Sequence, residues 1–168
     1  GASVPSIFVA VAVLGILIIL VAVLPRLEVR LPRRYRDIIY VRLRQAGARV
    51  EIFRGSPVSR VFEAGRTWTD DEQAAFNSYG VPVDLPAAAR LLRGLIRPGR
   101  PRRFFSPILV LHPLDKALAG LDDGDRRALT RLGEELGGEV LIGELPTVFP
   151  DRAFQELRLH GMAPWNAN

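Results

Sequence analysis

From Val4 to Leu24 the chain runs 21 positions without a charge, and Ser6 is the only strongly polar side chain among them. At 1.5 Å per residue a helix of that length crosses the roughly 30 Å hydrocarbon core of a bilayer, so the pattern predicts a membrane span within residues 1–25. Arginines follow at once: Arg26, Arg30, Arg33, Arg34 and Arg36. A cleavable signal peptide carries its basic stretch before a shorter apolar core, whereas here Gly-Ala-Ser precedes the run and the arginines trail it. Basic flanks stay on the cytoplasmic side, so the expected orientation is N-terminus outside and C-terminal domain inside. Ala10, Ala12, Gly15 and Ala22 are scattered rather than spaced as a dimer face, which gives little support to pairing through the helix.

After a basic linker (26–36) punctuated by Pro32, the period falls to two. Residues 37–44, 49–54 and 58–63 read as strands, and the turns Gln45-Ala-Gly-Ala48 and Gly55-Ser-Pro57 fold them into an antiparallel meander. The period then lengthens. Thr69 with Glu72 forms a capping box that opens a short helix over 70–76. Asp84 caps a longer one, with Ala88, Leu91, Leu92, Leu95 and Ile96 on one face and a stop at Pro98-Gly99. Pro107-Ile-Leu-Val-Leu-His112 is continuously apolar, as a strand buried on both faces should be. A helix from Asp122 or Asp123 to about Glu135 and a strand over 139–143 complete a right-handed βαβ crossover. A final helix is expected over 151–159, and residues 161–168 read as a tail.

Some 140 residues beyond the span are enough for one domain over 37–160. The chain has no cysteine, which excludes disulfides, thiolate nucleophiles and Cys-based zinc sites. The net charge of +5 is uneven. Residues 26–49 hold eight arginines against Glu28 and Asp37, and Arg90, Arg93, Arg97, Arg100, Arg102 and Arg103 follow without an acid between them. Beside a membrane each basic residue gains on the order of 1 kcal/mol from anionic lipid, so lipid headgroups or an acidic protein face are the expected partners. Nucleic acid is not, because aromatics for base stacking are sparse and no binding motif is present.

A meander, two helices and a βαβ unit follow the chain order of the first subdomain of actin-like ATPases. Asp37-Ile-Ile-Tyr-Val-Arg42, the helix Val83–Ile96, Ser106-Pro-Ile-Leu-Val-Leu-His-Pro113, Asp125-Arg-Arg-Ala-Leu129 and Gly138-Glu-Val-Leu-Ile-Gly-Glu144 resemble the bacterial rod-shape family MreB. The resemblance, over roughly residues 36–145, implies a small actin-like subdomain with a mixed sheet, so that the expected chain is α/β (α+β) with this subdomain after the transmembrane helix. The family's Asp-Leu-Gly-Thr phosphate loop falls between its first two strands, but here Asp37 runs into Ile38-Ile39-Tyr40. The second phosphate loop and the second half of the family fold would fall beyond residue 168. No catalytic or cofactor residue is therefore carried over, and neither a cofactor nor a small-molecule substrate is expected.

Candidate chemistry is sparse. Asp122-Asp123-Gly124-Asp125 lacks the ligand spacing of a calcium loop, and helix capping accounts for it better. His112 and His160 have no serine and acid arranged around them, so a structural role is expected for both. Gly133, Gly137 and Gly138 fit helix termination rather than a phosphate loop. On these grounds the chain is expected not to be an enzyme. Arg26, Arg30, Arg33, Arg34, Arg36, Arg97, Arg100, Arg102, Arg103 and Trp165 are the candidate membrane or partner contacts. The expected role is a structural subunit of the bacterial inner membrane that docks onto a larger integral membrane complex. By analogy of topology, an energy-converting complex such as a photosynthetic reaction centre is the host to try first. The alternative is a membrane-tethered regulator that binds nucleotide or actin-like filaments.

Overall fold

The alternating segments pair as a meander, and the apolar runs fill the sheet beside it. The computed structural model describes residues 3–23, 35–101 and 105–161. Strands β1 (Ile38–Leu43), β2 (Gly47–Arg54) and β3 (Ser59–Thr67) are antiparallel neighbours, with Ile38 opposite Phe53 and Val50 opposite Ala64. Strand β4 (Ile108–Pro113) lies parallel to β1, with Ile38 level with Ile108, and β5 (Glu139–Ile142) lies parallel to β4. The order β3-β2-β1-β4-β5 makes one mixed sheet of five strands. This is the mixed α/β architecture expected from the sequence, a meander extended by a βαβ unit.

Period two sorts the side chains onto opposite faces. Ile39, Val41 and Leu43 join Val50, Ile52, Leu109 and Leu111 on one face, under α3 (Leu85–Ile96) and α5 (Asp123–Glu135). Ile38, Tyr40, Phe53, Ile108 and Val110 occupy the other, under Phe149 and helix α6 (Asp151–His160). The central strands are therefore buried on both sides, which explains why β4 shows no polar alternation.

Caps set the helix starts. The side chain of Asp84 accepts from the amide of Ala87, and Asp122 and Asp125 exchange reciprocal bonds at the start of α5. The short α2 (Asp70–Gln73) carries the expected capping box between Thr69 and Glu72. Helix α3 tightens into a single 3₁₀ turn over Arg97–Gly99, and a Cβ at Gly99 would stand 2.5 Å from the Phe62 ring. Gly133 lets α5 approach β5, since a Cβ there would meet Val140 at 2.0 Å. Three expectations change. Gly47 and Ala48 belong to β2 rather than to the turn, β3 runs on to Thr67, and α4 (Leu114–Ala119) follows β4 directly.

Helix α1 spans Ser3–Val23, and from Pro5 to Val23 its mean hydropathy is 3.2 with no part buried. It is long and apolar enough to cross a membrane.

Candidate functional site

The described candidate contacts fall at one end of the sheet, where β1, β4 and β5 begin. Three of them (Arg36, Arg97 and Arg100) are described; Arg26, Arg30, Arg33, Arg34, Arg102, Arg103 and Trp165 lie outside the described residues. Arg36, just before β1, is only 4% exposed. Its Nε donates to the Ser106 carbonyl at 2.7 Å, Nη1 to Glu139 at 2.6 Å, and Nη2 to the Pro107 carbonyl at 3.0 Å. Arg36 thus ties the starts of β1, β4 and β5 together. Arg100 is 7% exposed and donates from Nε to Asp37 and from Nη2 to the Phe105 carbonyl. The expectation that these two arginines form an external contact is corrected: both are buried with their guanidinium groups turned to internal partners. Arg97, by contrast, is exposed.

Asp37 joins this cluster. Arg54 grips its carboxylate with two bonds of 2.9 and 2.8 Å, and Arg100 adds a third at 2.9 Å. Burial pushes the carboxyl up, but the hydrogen bond from Arg54 and the charges of Arg100 and Arg54 together hold it below its ordinary 3.8. A cleft of about 420 Å³ opens beside it, lined by Tyr35, Asp37, Arg54, Gly99, Arg100, Pro101 and Phe105. Asp37 therefore stands at the opposite end of β1 from the turn that joins β1 to β2. That turn, expected over Gln45-Ala-Gly-Ala48, runs from Arg44 to Gly47 and is closed by the Arg44 amide on the Gly47 carbonyl.

The other end of the sheet, where β1 and β4 finish, is where ligands of α/β folds commonly bind. A cleft of about 570 Å³ lies there, lined by Arg42, Arg44, Gly47, Arg49, Arg66, Thr67, Leu114 and Val148 among others. Its arginines face carboxylates: Arg42 bonds Glu51 at 2.6 Å, Arg44 bonds Asp115 at 2.8 Å, Arg49 pairs with Glu63, and Arg66 bonds Glu72 at 2.6 Å. Sequence reasoning missed this lattice. The signal was the alternation of Arg49, Glu51, Arg60 and Glu63 along facing strands, where cross-strand neighbours of opposite charge attract.

Beneath that cleft lies a buried polar relay. Tyr40 and His112 are wholly buried, with the Tyr40 hydroxyl 2.6 Å from His112 Nδ1 and His112 Nε2 2.5 Å from the Leu145 carbonyl. The Phe149 amide donates to the Tyr40 oxygen at 3.2 Å. The carbonyl of Leu145 requires a proton on Nε2, so the neutral imidazole accepts from tyrosine at Nδ1. Burial pushes the Tyr40 pKa up to about 12, keeping its proton in place. Burial also lowers the His112 pKa below its ordinary 6.5, against the opposing bond to Leu145 and with help from the Arg42 charge. The relay pins the segment between β5 and α6 to the sheet.

A pH dependence follows. The unfolded chain takes up a proton on His112 near its ordinary 6.5 while the fold resists, so this contribution to stability is full above that value and declines below it. The decline levels off once the folded imidazole protonates. Urea midpoints measured from about pH 7 to pH 5 should fall in the native chain and fall less in a His112→Asn variant. Equal declines would remove His112 as the source. The loss from Asp37 comes at lower pH, because its folded pKa is depressed.

Among the described residues no group of three His, Asp or Glu side chains is placed to hold a metal ion. Asp122 and Asp125 serve as the α5 cap.

No family model and no curated protein sequence matches the chain. Solved structures do. The type II variant of the Aquifex aeolicus Ppx/GppA phosphatase is 12% identical with a TM-score of 0.37, covering 64% of this chain and 36% of its own. A second structure of the Aquifex aeolicus PPX-GPPA enzyme gives the same identity and score over 64% and 35%. An exopolyphosphatase-like protein is 17% identical with a TM-score of 0.32, over 64% and 32%. The chain thus spans about a third of the length of these proteins. The first two carry the names of enzymes, against the expectation that this chain is not one, and that expectation is withdrawn. No activity is transferred from them.

Proposed function

We propose that this protein is a single-span subunit of a bacterial inner membrane, with its N-terminus outside and an actin-like, MreB-like domain on the cytoplasmic face that docks onto a larger integral membrane complex. The carrying observation is α1, which is uncharged and, from Pro5 to Val23, covered by none of the described residues. Apolar surface of that extent is stable only in lipid or against other membrane helices. The arginines after the span support the orientation. An energy-converting complex such as a photosynthetic reaction centre with its antenna is the host that the topology suggests.

Protease added to sealed right-side-out vesicles should leave the domain intact and cut it only after lysis. Digestion in sealed vesicles would reverse the orientation. Purification from native membranes should then recover the protein at constant stoichiometry with one large complex. The second reading, a tethered regulator of nucleotide or filaments, draws on the arginine-lined cleft at the ends of β1 and β4. Recovery with filament proteins, or a saturable thermal stabilisation by Mg-ATP, would favour it instead.

A further inference from the structure

The charges of the domain are sorted by end. Arg36, Arg54, Arg97, Arg100 and Arg158 gather where β1 and β4 begin, against the carboxylates of Asp37 and Glu139. Arg93 and Glu135 there pair with each other. The opposite end holds the starts of α2, α3, α4 and α5, with Asp70, Asp71, Asp84, Asp115, Asp122 and Asp123 in their caps or first turns. The Arg44–Asp115, Arg66–Glu72 and Lys116–Asp125 pairs hold those helix starts at that end. Helix dipoles account for acids at N-termini and cations at C-termini. They do not account for the apolar side chains among the arginines.

Tyr35 is 58% exposed and Phe105 44% exposed, and both line the cleft beside Asp37, Arg54 and Arg100. Leu159 is 76% exposed and follows Arg158, whose charge acts on Asp37. Aromatic rings beside arginines suit the headgroup layer of a membrane, where one edge is apolar and the other wet. The same end receives the chain from the span. Tyr35 is twelve residues beyond Val23, which limits its distance from the end of α1 to about 40 Å even if fully extended.

We propose that this basic end lies on an anionic lipid surface, with Tyr35, Phe105 and Leu159 at the headgroup layer and Arg97 facing lipid phosphates. The proposal rests on the membrane reading above and adds to it the orientation of the domain. The acidic end and its arginine-lined cleft then point away from the bilayer, toward the cytoplasm or a partner. The driving force is electrostatic steering of a dipolar domain, reinforced by burial of the aromatic rings.

The absence of cysteine permits a direct test. Full-length variants Phe105→Cys and Leu159→Cys report the basic end, Gln45→Cys and Leu118→Cys the opposite end, and Val13→Cys the span. Each is labelled with an environment-sensitive dye and reconstituted in phosphatidylcholine vesicles with or without phosphatidylglycerol. A headgroup-attached quencher should reach positions 105 and 159 in the anionic vesicles and much less in the neutral ones. High salt should reverse the contact. Positions 45 and 118 should stay open to an aqueous quencher throughout. Arg97→Gln should lower the ratio of docked to undocked domain about fivefold. If position 13 is shielded but positions 105 and 159 behave like 45 and 118 in anionic vesicles, the orientation is wrong and the membrane reading survives. If position 13 is itself open to water, the membrane reading fails first. Shielding of 105 and 159 only when a host complex is added would assign this end to a protein partner and overturn the lipid proposal.

Discussion

Replacing Arg36 by glutamine is expected to lower domain stability by about 2–3 kcal/mol. Arg36 is 4% exposed and reaches Ser106, Pro107 and Glu139 with its three guanidinium nitrogens. Glutamine cannot span those acceptors, so the Ser106 carbonyl before β4 loses this donor, while the Pro107 carbonyl keeps only the Glu139 amide. The ionic part is discounted, because Glu139 is 30% exposed and water can replace the arginine there. Lysine should rescue little, since one ammonium cannot reproduce a planar fork. In thermal melts the loss corresponds to roughly 5–15 °C. An Arg36→Gln protein that melts with the native one would return Arg36 to the surface role first expected of it.

Much of the fold was readable because its signals are local. Asp84 and Asp122 are caps by residue type and spacing, and both act as caps. The apolar run 107–112 announced a strand with both faces covered, and all of β4 is buried. The misreadings have physical causes. Ala46-Gly47-Ala48 has turn composition, yet Gly47 is a strand residue whose missing Cβ admits the Arg66 carbonyl, 2.3 Å from where that carbon would stand. Helix α4 begins directly after β4 and has no side-chain cap, so it left no start signal.

The site was harder to read because burial of a charged residue depends on partners distant in sequence. Arg36 meets Glu139 across 103 positions, and Arg100 meets Asp37 across 63. Composition alone assigns arginine to the surface, where most arginines lie. The clustering of basic segments was visible in the chain, but their convergence on one end of the sheet follows from the parallel pairing of β1 and β4. That pairing brings the end of the linker and the loop after α3 together.

Replacing Phe154 by alanine should be the most damaging of these changes, at about 3–5 kcal/mol. Phe154 is wholly buried; its ring stacks on Phe53 with centroids 4.3 Å apart and tilts against Tyr40 at 5.0 Å. It is the main anchor by which α6 covers the second face of the sheet, with Leu157 and Ala153 beside it. Alanine would leave a cavity against Tyr40 and Phe53, and the aromatic contacts would be lost as well. Leucine should cost less, because it fills part of the volume and keeps the surface apolar. The effect should be visible beyond the melting point. Amide exchange should rise along β1 and the residue 145–149 segment, since the Tyr40 relay loses the packing that holds its ring. The turn of α6 carrying Arg158 and Leu159 should loosen with it, so the alanine variant should also lose headgroup contact at position 159. If Phe154→Ala melts like the leucine variant and exchange along β1 is unchanged, α6 is an accessory to the sheet rather than the element that closes its second face.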